Sequence, residues 1–147
     1  MNRAIRKIII HCSDSGRPQH NDIEIIRQWH TMPPPHGNGW RDVGYHFFIK
    51  TDGEIQTGRT LDQSGAHVRG HNEDSIGICL HGRNEFTQAQ FNSLGQLMQS
   101  LYFEFGLTIN DVYGHCDFDQ NKTCPNFDYK KILSPGMFND PKTEKRV

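Results

Sequence analysis

The segment Lys7-Ile8-Ile9-Ile10-His11-Cys12 constrains this chain more than any other. Its β-branched residues are stiff at χ1 and favour extended backbone, so the run reads as a buried strand. A buried strand needs partners, and the sequence offers several. Ser75–Leu80 is a second strand of the same kind. Tyr45–Lys50 and Glu54–Thr57 flank Thr51-Asp52-Gly53, a hairpin turn signal. Asp111–Gly114 is a short strand. Helical patterns alternate with these strands. Asn21-x-x-Glu24 resembles a capping box opening a short helix, with Ile23, Ile26 and His30 on one stripe and Ile25 and Trp29 beside it. Thr87-x-x-Gln90 opens a long helix to about Phe105, whose Phe91, Leu94, Met98, Leu101 and Phe105 recur at helical spacing. Phe127–Leu133 reads as a short terminal helix. Alternation with one hairpin predicts an α/β fold, a mixed central β-sheet flanked by helices.

The 147 residues suit one domain at about 150 residues per domain. The expected division is a domain over 1–134 and a polar tail over 135–147. Sixteen basic against 17 acidic residues leave a net charge of -1. That balance argues against a broad polyanion-binding surface, so no nucleic acid partner is expected. No apolar run approaches the ~18 residues of a membrane helix, so no membrane insertion is expected. The basic start, Met1 to Lys7, is followed only by Ile8-Ile9-Ile10, too short for the core of a signal peptide. The expected location is therefore cytoplasmic. Cysteines at 12, 79, 116 and 124 then read as buried thiols or metal ligands, not a disulfide framework.

Residues able to do chemistry gather in a few segments. His11 ends an apolar strand, on the face of Ile9, while Cys12 points with Ile8 and Ile10. Alone, His11 reads more readily as a polar residue where a strand meets solvent. Gly114-His115-Cys116-Asp117 is followed by Lys122-Thr123-Cys124-Pro125. Two strand-end histidines and a cysteine on a returning loop make three donors of the type zinc accepts. The spacing is not a standard short zinc signature, and a buried thiol with two unrelated histidines fits it as well. Tyr45 starts a strand of alternating aromatics, where its hydroxyl can reach a cleft. His67 sits in the glycine-rich stretch Gly58–Asp74, which reads as a long functional loop able to line a groove.

Together these segments resemble the N-acetylmuramoyl-L-alanine amidase family that includes short phage lysozymes and animal peptidoglycan recognition proteins. The similar motifs are His11-Cys12-Ser13, Ile26-Arg27-Gln28-Trp29-His30, Asp42-Val43-Gly44-Tyr45-His46-Phe47, Asp52-Gly53 through Gly58-Arg59, Ser75-Ile76-Gly77-Ile78-Cys79-Leu80 and Lys122-Thr123-Cys124-Pro125. They occur in the family's order across nearly the whole chain, and the short phage enzymes match best. The resemblance implies the family's single-domain fold and one zinc ion per chain, with His11, His115 and Cys124 matching its zinc ligands. It implies Tyr45 and Lys122 as catalytic helpers and His67 as a residue near the substrate groove. One departure is a longer loop from His115 to Cys124, which leaves Cys116 as a rival ligand. If both histidines leave extended strands, Cys12 and Cys116 face the core and Cys124 is the ligand.

The implied reaction is hydrolysis of the amide between N-acetylmuramic acid and the first alanine of the peptidoglycan stem peptide. A phage endolysin in host lysis would act in this way, reaching the wall after another protein permeabilises the membrane. Some short phage relatives also bind the phage's own RNA polymerase, a partner the resemblance extends to this chain. Two rivals stand beside the amidase. One is a module that binds wall fragments without cutting them. The other is a glycosidase, which needs two placed carboxylates, and Glu54, Glu73 and Asp74 are candidates by residue type only.

Overall fold

The computed structural model describes residues 1–134, so the tail expected at 135–147 lies outside the described residues. Five strands form one sheet: β1 (Lys7–Cys12), β2 (Phe47–Ile49), β3 (Ile55–Thr57), β4 (Ser75–Leu80) and β5 (Val112–Gly114). Their order is β3-β2-β4-β1-β5. β1 runs parallel to β4 and β5, β4 runs parallel to β2, and among the strand pairs of the described residues only the β2–β3 hairpin is antiparallel. The sheet is mixed, as the sequence pattern predicts.

Ile8, Ile9 and Ile10 are all fully buried, because β1 lies inside the sheet between β4 and β5, with α2 packed on the face of Ile8 and Ile10. On one face, Ile8, Ile10, Ile76, Ile78 and Leu80 meet Leu94, Met98 and Leu101 of α2 (Gln88–Phe105). On the other, α1 (Ile23–Thr31) brings Ile23 and Ile26 against Val43, Phe48 and Cys79. The parallel register sets His11 beside Cys79, Ile9 beside Gly77 and Lys7 beside Ser75. Period-two alternation therefore puts Ser75, Gly77 and Cys79 on the face of His11.

The cap of α2 forms as expected. Thr87 Oγ1 accepts from Gln90 N, and Gln90 Oε1 accepts from Thr87 N. The amide of buried Gln90 also donates to the carbonyls of Ile49 and His81, tying the helix start to the sheet. Gly106, at φ 68°, closes the helix in the left-handed conformation that glycine adopts without a Cβ clash. The α1 cap differs from expectation. Asp22, not Asn21, accepts from Glu24 N. Asn21 instead pairs with Thr51 through both backbone and side chain, pinning the approach to α1 onto the hairpin turn.

Elements are shorter than their apolar patterns at several ends. The hairpin strands start at Phe47 and Ile55, and the terminal helix α3 spans only Tyr129–Ile132. Strand β5 starts at Val112, because Ile109–Asp111 forms a 3-10 turn capped by Thr108. Residues 58–74 carry no regular element but are held by polar contacts. Arg3 donates to the carbonyls of Leu61 and Ser75, and Arg59 donates to Val43 O. Asn72 Oδ1 accepts from both His67 N and Val68 N. Among the described residues no helix is long and apolar enough to cross a membrane.

Candidate metal centre

Three segments deliver one donor each to a single point. His11 comes from the C-terminal end of β1, where it is 1% exposed. His115 follows β5, and Cys124 returns on the loop beyond it. The donor atoms of His11, His115 and Cys124 all lie within 4.8 Å of one another. Backbone contacts close the returning loop: Cys116 N donates to Cys124 O at 3.0 Å, and Cys12 N donates to Cys124 Sγ at 3.0 Å. Gly114 makes room for it, since a Cβ there would stand 2.8 Å from Pro125 Cδ.

The route of His115 differs from expectation. It opens a 3-10 turn, His115–Asp117, instead of ending a strand. Asp117 stabilises this turn by accepting from Gly114 N and from the Tyr129 hydroxyl. Strand alternation therefore does not apply to Cys116, and its side chain is exposed instead of facing the core. Cys12 is buried, as the alternation of β1 requires. Cys116 is not in the donor group.

Tyr45 and Lys122 line the same cavity of about 340 Å³ as the three donors. The Tyr45 ring lies 5.0 Å from that of His11, and the His115 ring lies 4.7 Å from it. A larger cavity, about 900 Å³, shares Ser13 and Asp14 with this one and extends toward Trp29 and the loop after β4. None of Glu54, Glu73 and Asp74 lines the donor cavity. Glu54 pairs with Lys50, and Asp74 with Lys7.

Burial dominates the electrostatics here. It drives the His11 pKa well below the usual histidine range, with further lowering from His67 and His115. Burial and then Lys122 lower His115. Both imidazoles are therefore neutral near pH 7, the form that binds metal. Burial, followed by the neighbouring thiols of Cys79 and Cys124, raises Tyr45 well above 10, so its phenol keeps its proton. Contact with the Cys12 thiol and burial push the Cys124 thiol up. A cation inverts that order, because a coordinating thiol loses its proton outright. Two neutral nitrogens, one sulfur and a fourth position facing a cavity fit zinc in the pattern of catalytic sites.

Two contributors carry little sequence signal. His30 looks only like part of a helical stripe. Its Nδ1 accepts from Gly44 N at 2.9 Å, and burial lowers its pKa to about 4. Its ring lies 5.6 Å from Tyr45 and 4.9 Å from Trp40. The segment Asp42-Val43-Gly44-Tyr45 beside it was the available clue. Ser75 opens β4 and reaches His67, a contact that only the tertiary fold creates.

A mixed sheet with a two-histidine, one-cysteine cluster at the strand ends defines the class of single-domain amidase and recognition folds. A family profile described as N-acetylmuramoyl-L-alanine amidase matches residues 1–127, and the chain belongs to that family. It is 36% identical over 133 residues to the endolysin of Klebsiella phage KP32, covering 85% of this chain and 83% of that protein. The endolysin of Escherichia phage T7 is 37% identical over 132 residues, covering 84% and 82%. Among solved structures, the amidase endolysin LysCS from Clostridium intestinale URNW superposes with TM-score 0.76 at 28% identity, over 99% of this chain and 86% of that one. Drosophila PGRP-LB superposes with TM-score 0.74 at 26% identity, over 94% and 85%.

Proposed function

We propose that this chain is a zinc-dependent N-acetylmuramoyl-L-alanine amidase and works as a phage endolysin. The carrying observation is the convergence of His11, His115 and Cys124 on a cavity that Tyr45 and Lys122 also line. His11, His115 and Cys124 would hold the ion. An ion held by them would supply a nucleophile from water at neutral pH and Lewis-acid polarisation of the scissile carbonyl. Tyr45 remains a phenol over the working range and donates a hydrogen bond to the oxygen that gains charge during attack. Lys122 brings a flexible ammonium group to the same cavity and offsets that charge from a second direction.

A recognition module that binds wall fragments without cutting is the second reading, since the chain also resembles proteins named for peptidoglycan recognition. The complete donor set and the neighbouring Tyr45 and Lys122 favour the enzyme. Mass spectrometry of purified peptidoglycan incubated with the protein decides between them. The amidase reading expects free N-terminal alanine on released stem peptides and loss of release on chelation. New reducing ends would instead mean glycosidase chemistry, and unchanged wall would mean binding alone. The proposal places the chain in the host cytoplasm until another protein permeabilises the membrane. Expression alone should therefore be tolerated by a bacterium.

A further inference from the structure

His67 lies next to the donor cluster without belonging to it. Its Nδ1 is 2.8 Å from His11 Nε2, and its Nε2 is 3.1 Å from Ser75 Oγ. Both ring nitrogens are therefore engaged inside the protein, which leaves neither for a substrate. We propose that His67 and Ser75 form a positioning relay that locks the His11 imidazole in one tautomer, with Nε2 turned inward and Nδ1 left for the metal. This inference rests on the metal-centre reading above.

The order of protons follows from the bonding. A metal-bound imidazole is neutral and carries its proton on the nitrogen away from the ion. With Nε2 of His11 held by His67, that proton sits on Nε2 and points at His67 Nδ1. His67 Nδ1 must then accept, so the His67 proton sits on Nε2 and points at Ser75 Oγ. Each ring sets the tautomer of the next.

The fold fixes the relay from several sides. The His67 ring lies in a slot between two glycines. A Cβ on Gly77 would stand 2.7 Å from His67 Cγ, and one on Gly65 would stand 2.7 Å from His67 Cδ2. Gly77 is on the central strand β4 beside Ile9, so the missing side chain there makes the seat for the ring. Asn72 Oδ1 clamps the backbone by accepting from His67 N and Val68 N, both at 2.9 Å. Ser75 is fully buried, and its carbonyl accepts from Arg3. The nearby His46 does not compete for His67. Its Nδ1 accepts from Gly77 N, and its Nε2 faces Gln63 O and Arg3.

Two measurements on the full chain test the relay. In the zinc-loaded wild type, long-range ¹H–¹⁵N NMR should find the His11 and His67 protons on Nε2. Zinc dissociation constants, from competition with a chromophoric chelator, should rise about 10–100-fold in His67→Phe, which fills the slot but has no nitrogen. His67→Asn puts an acceptor oxygen near the Nδ1 position and should recover part of that loss. Ser75→Ala should weaken zinc less than His67→Phe, and the Co²⁺ absorption spectrum should shift in both. A His67 proton on Nδ1 in the zinc form, or wild-type zinc affinity in His67→Phe, overturns the relay. If His67→Phe does not fold, the wild-type NMR result and the Ser75→Ala affinity decide alone. Wild-type protein that binds no zinc would overturn the metal-centre reading itself, an outcome distinct from wild-type binding that the variants leave unchanged.

Discussion

The two faces of the central strands are built from the same short segments and have opposite chemistry. On the α2 face, β1 and β4 present Ile8, Ile10, Ile76, Ile78 and Leu80 to Leu94, Met98 and Leu101. On the α1 face the same strands present His11, Ser75, Gly77 and Cys79, and His46 and His67 lie over them. Apolar burial stabilises the first face without regard to direction. The second depends on directed hydrogen bonds, each of which needs a partner in place. Parallel pairing buries both faces, so the polar one is shielded enough to shift histidine pKa values while its strand ends still open on a cavity. Stability and chemistry are thus separated by one residue of register.

Substitutions at the donors should break this division most severely. His11→Ala and Cys124→Ser should each remove the zinc and reduce wall hydrolysis by more than about 10³-fold, beyond the effect of losing one oxyanion donor. Elemental analysis alongside a wall-clearing assay checks both. Tyr45→Phe and Lys122→Ala should keep the zinc and lose about 10²–10³-fold in turnover. Wild-type rates in both would remove these residues from the reaction.

The opposite face should respond in the opposite sense. Leu94→Ala should cost about 2–5 kcal/mol in urea unfolding yet leave the folded fraction with its zinc and turnover. Loss of zinc in that variant at low temperature would show that the two faces are coupled.

Acid should select the polar face. Burial holds His46 at about 4, and Gly77 N donates to its Nδ1. Its unfolded value is 6.5, so as the pH falls the unfolded chain takes up the proton first. The stability this group contributes is complete above about pH 6.5 and is lost on the way down to about 4. The loss is on the order of 3 kcal/mol for His46 alone. Chemical denaturation of wild type and His46→Gln at pH 7 and 4.5 measures it, and a wild type as stable at 4.5 as at 7 would refute it. The smallest effect should be at Cys116, which is exposed and outside the donor group. Cys116→Ser should stay within about 0.5 kcal/mol of wild type and keep full zinc.

The sequence carried the sheet because it rests on strong local signals, whereas the local spacing around His11, His115 and Cys124 left their grouping open. Ile8-Ile9-Ile10 can hardly be other than a buried strand, and the Thr87–Gln90 box states where α2 begins. Ordered motifs along the chain pointed to His11, His115 and Cys124. What local pattern missed was set by contacts far along the chain. Asn21 looked like a cap but is taken by Thr51, which hands the cap to Asp22. Asp117, held by Tyr129, curls the segment after β5 into a turn, so alternation failed for Cys116. Gly77 looked like a packing residue of a core strand, and its use as a seat for His67 appears only once residues 65–77 fold over β4.

The closure of the donor cluster has a consequence for the order in which the molecule is made. Cys12 and Cys124, which share the contact that completes the cluster, are 112 positions apart. The strand holding His11 finds its parallel partner only when residues 75–80 exist, and such non-local pairing forms late. His115 and Cys124 arrive later still, after α2. A nascent chain can therefore assemble most of its core around α2 while it has only one of its three donors. The donor set is complete only once Cys124 has been made, and a fragment ending before residue 115 would carry one of the three donors.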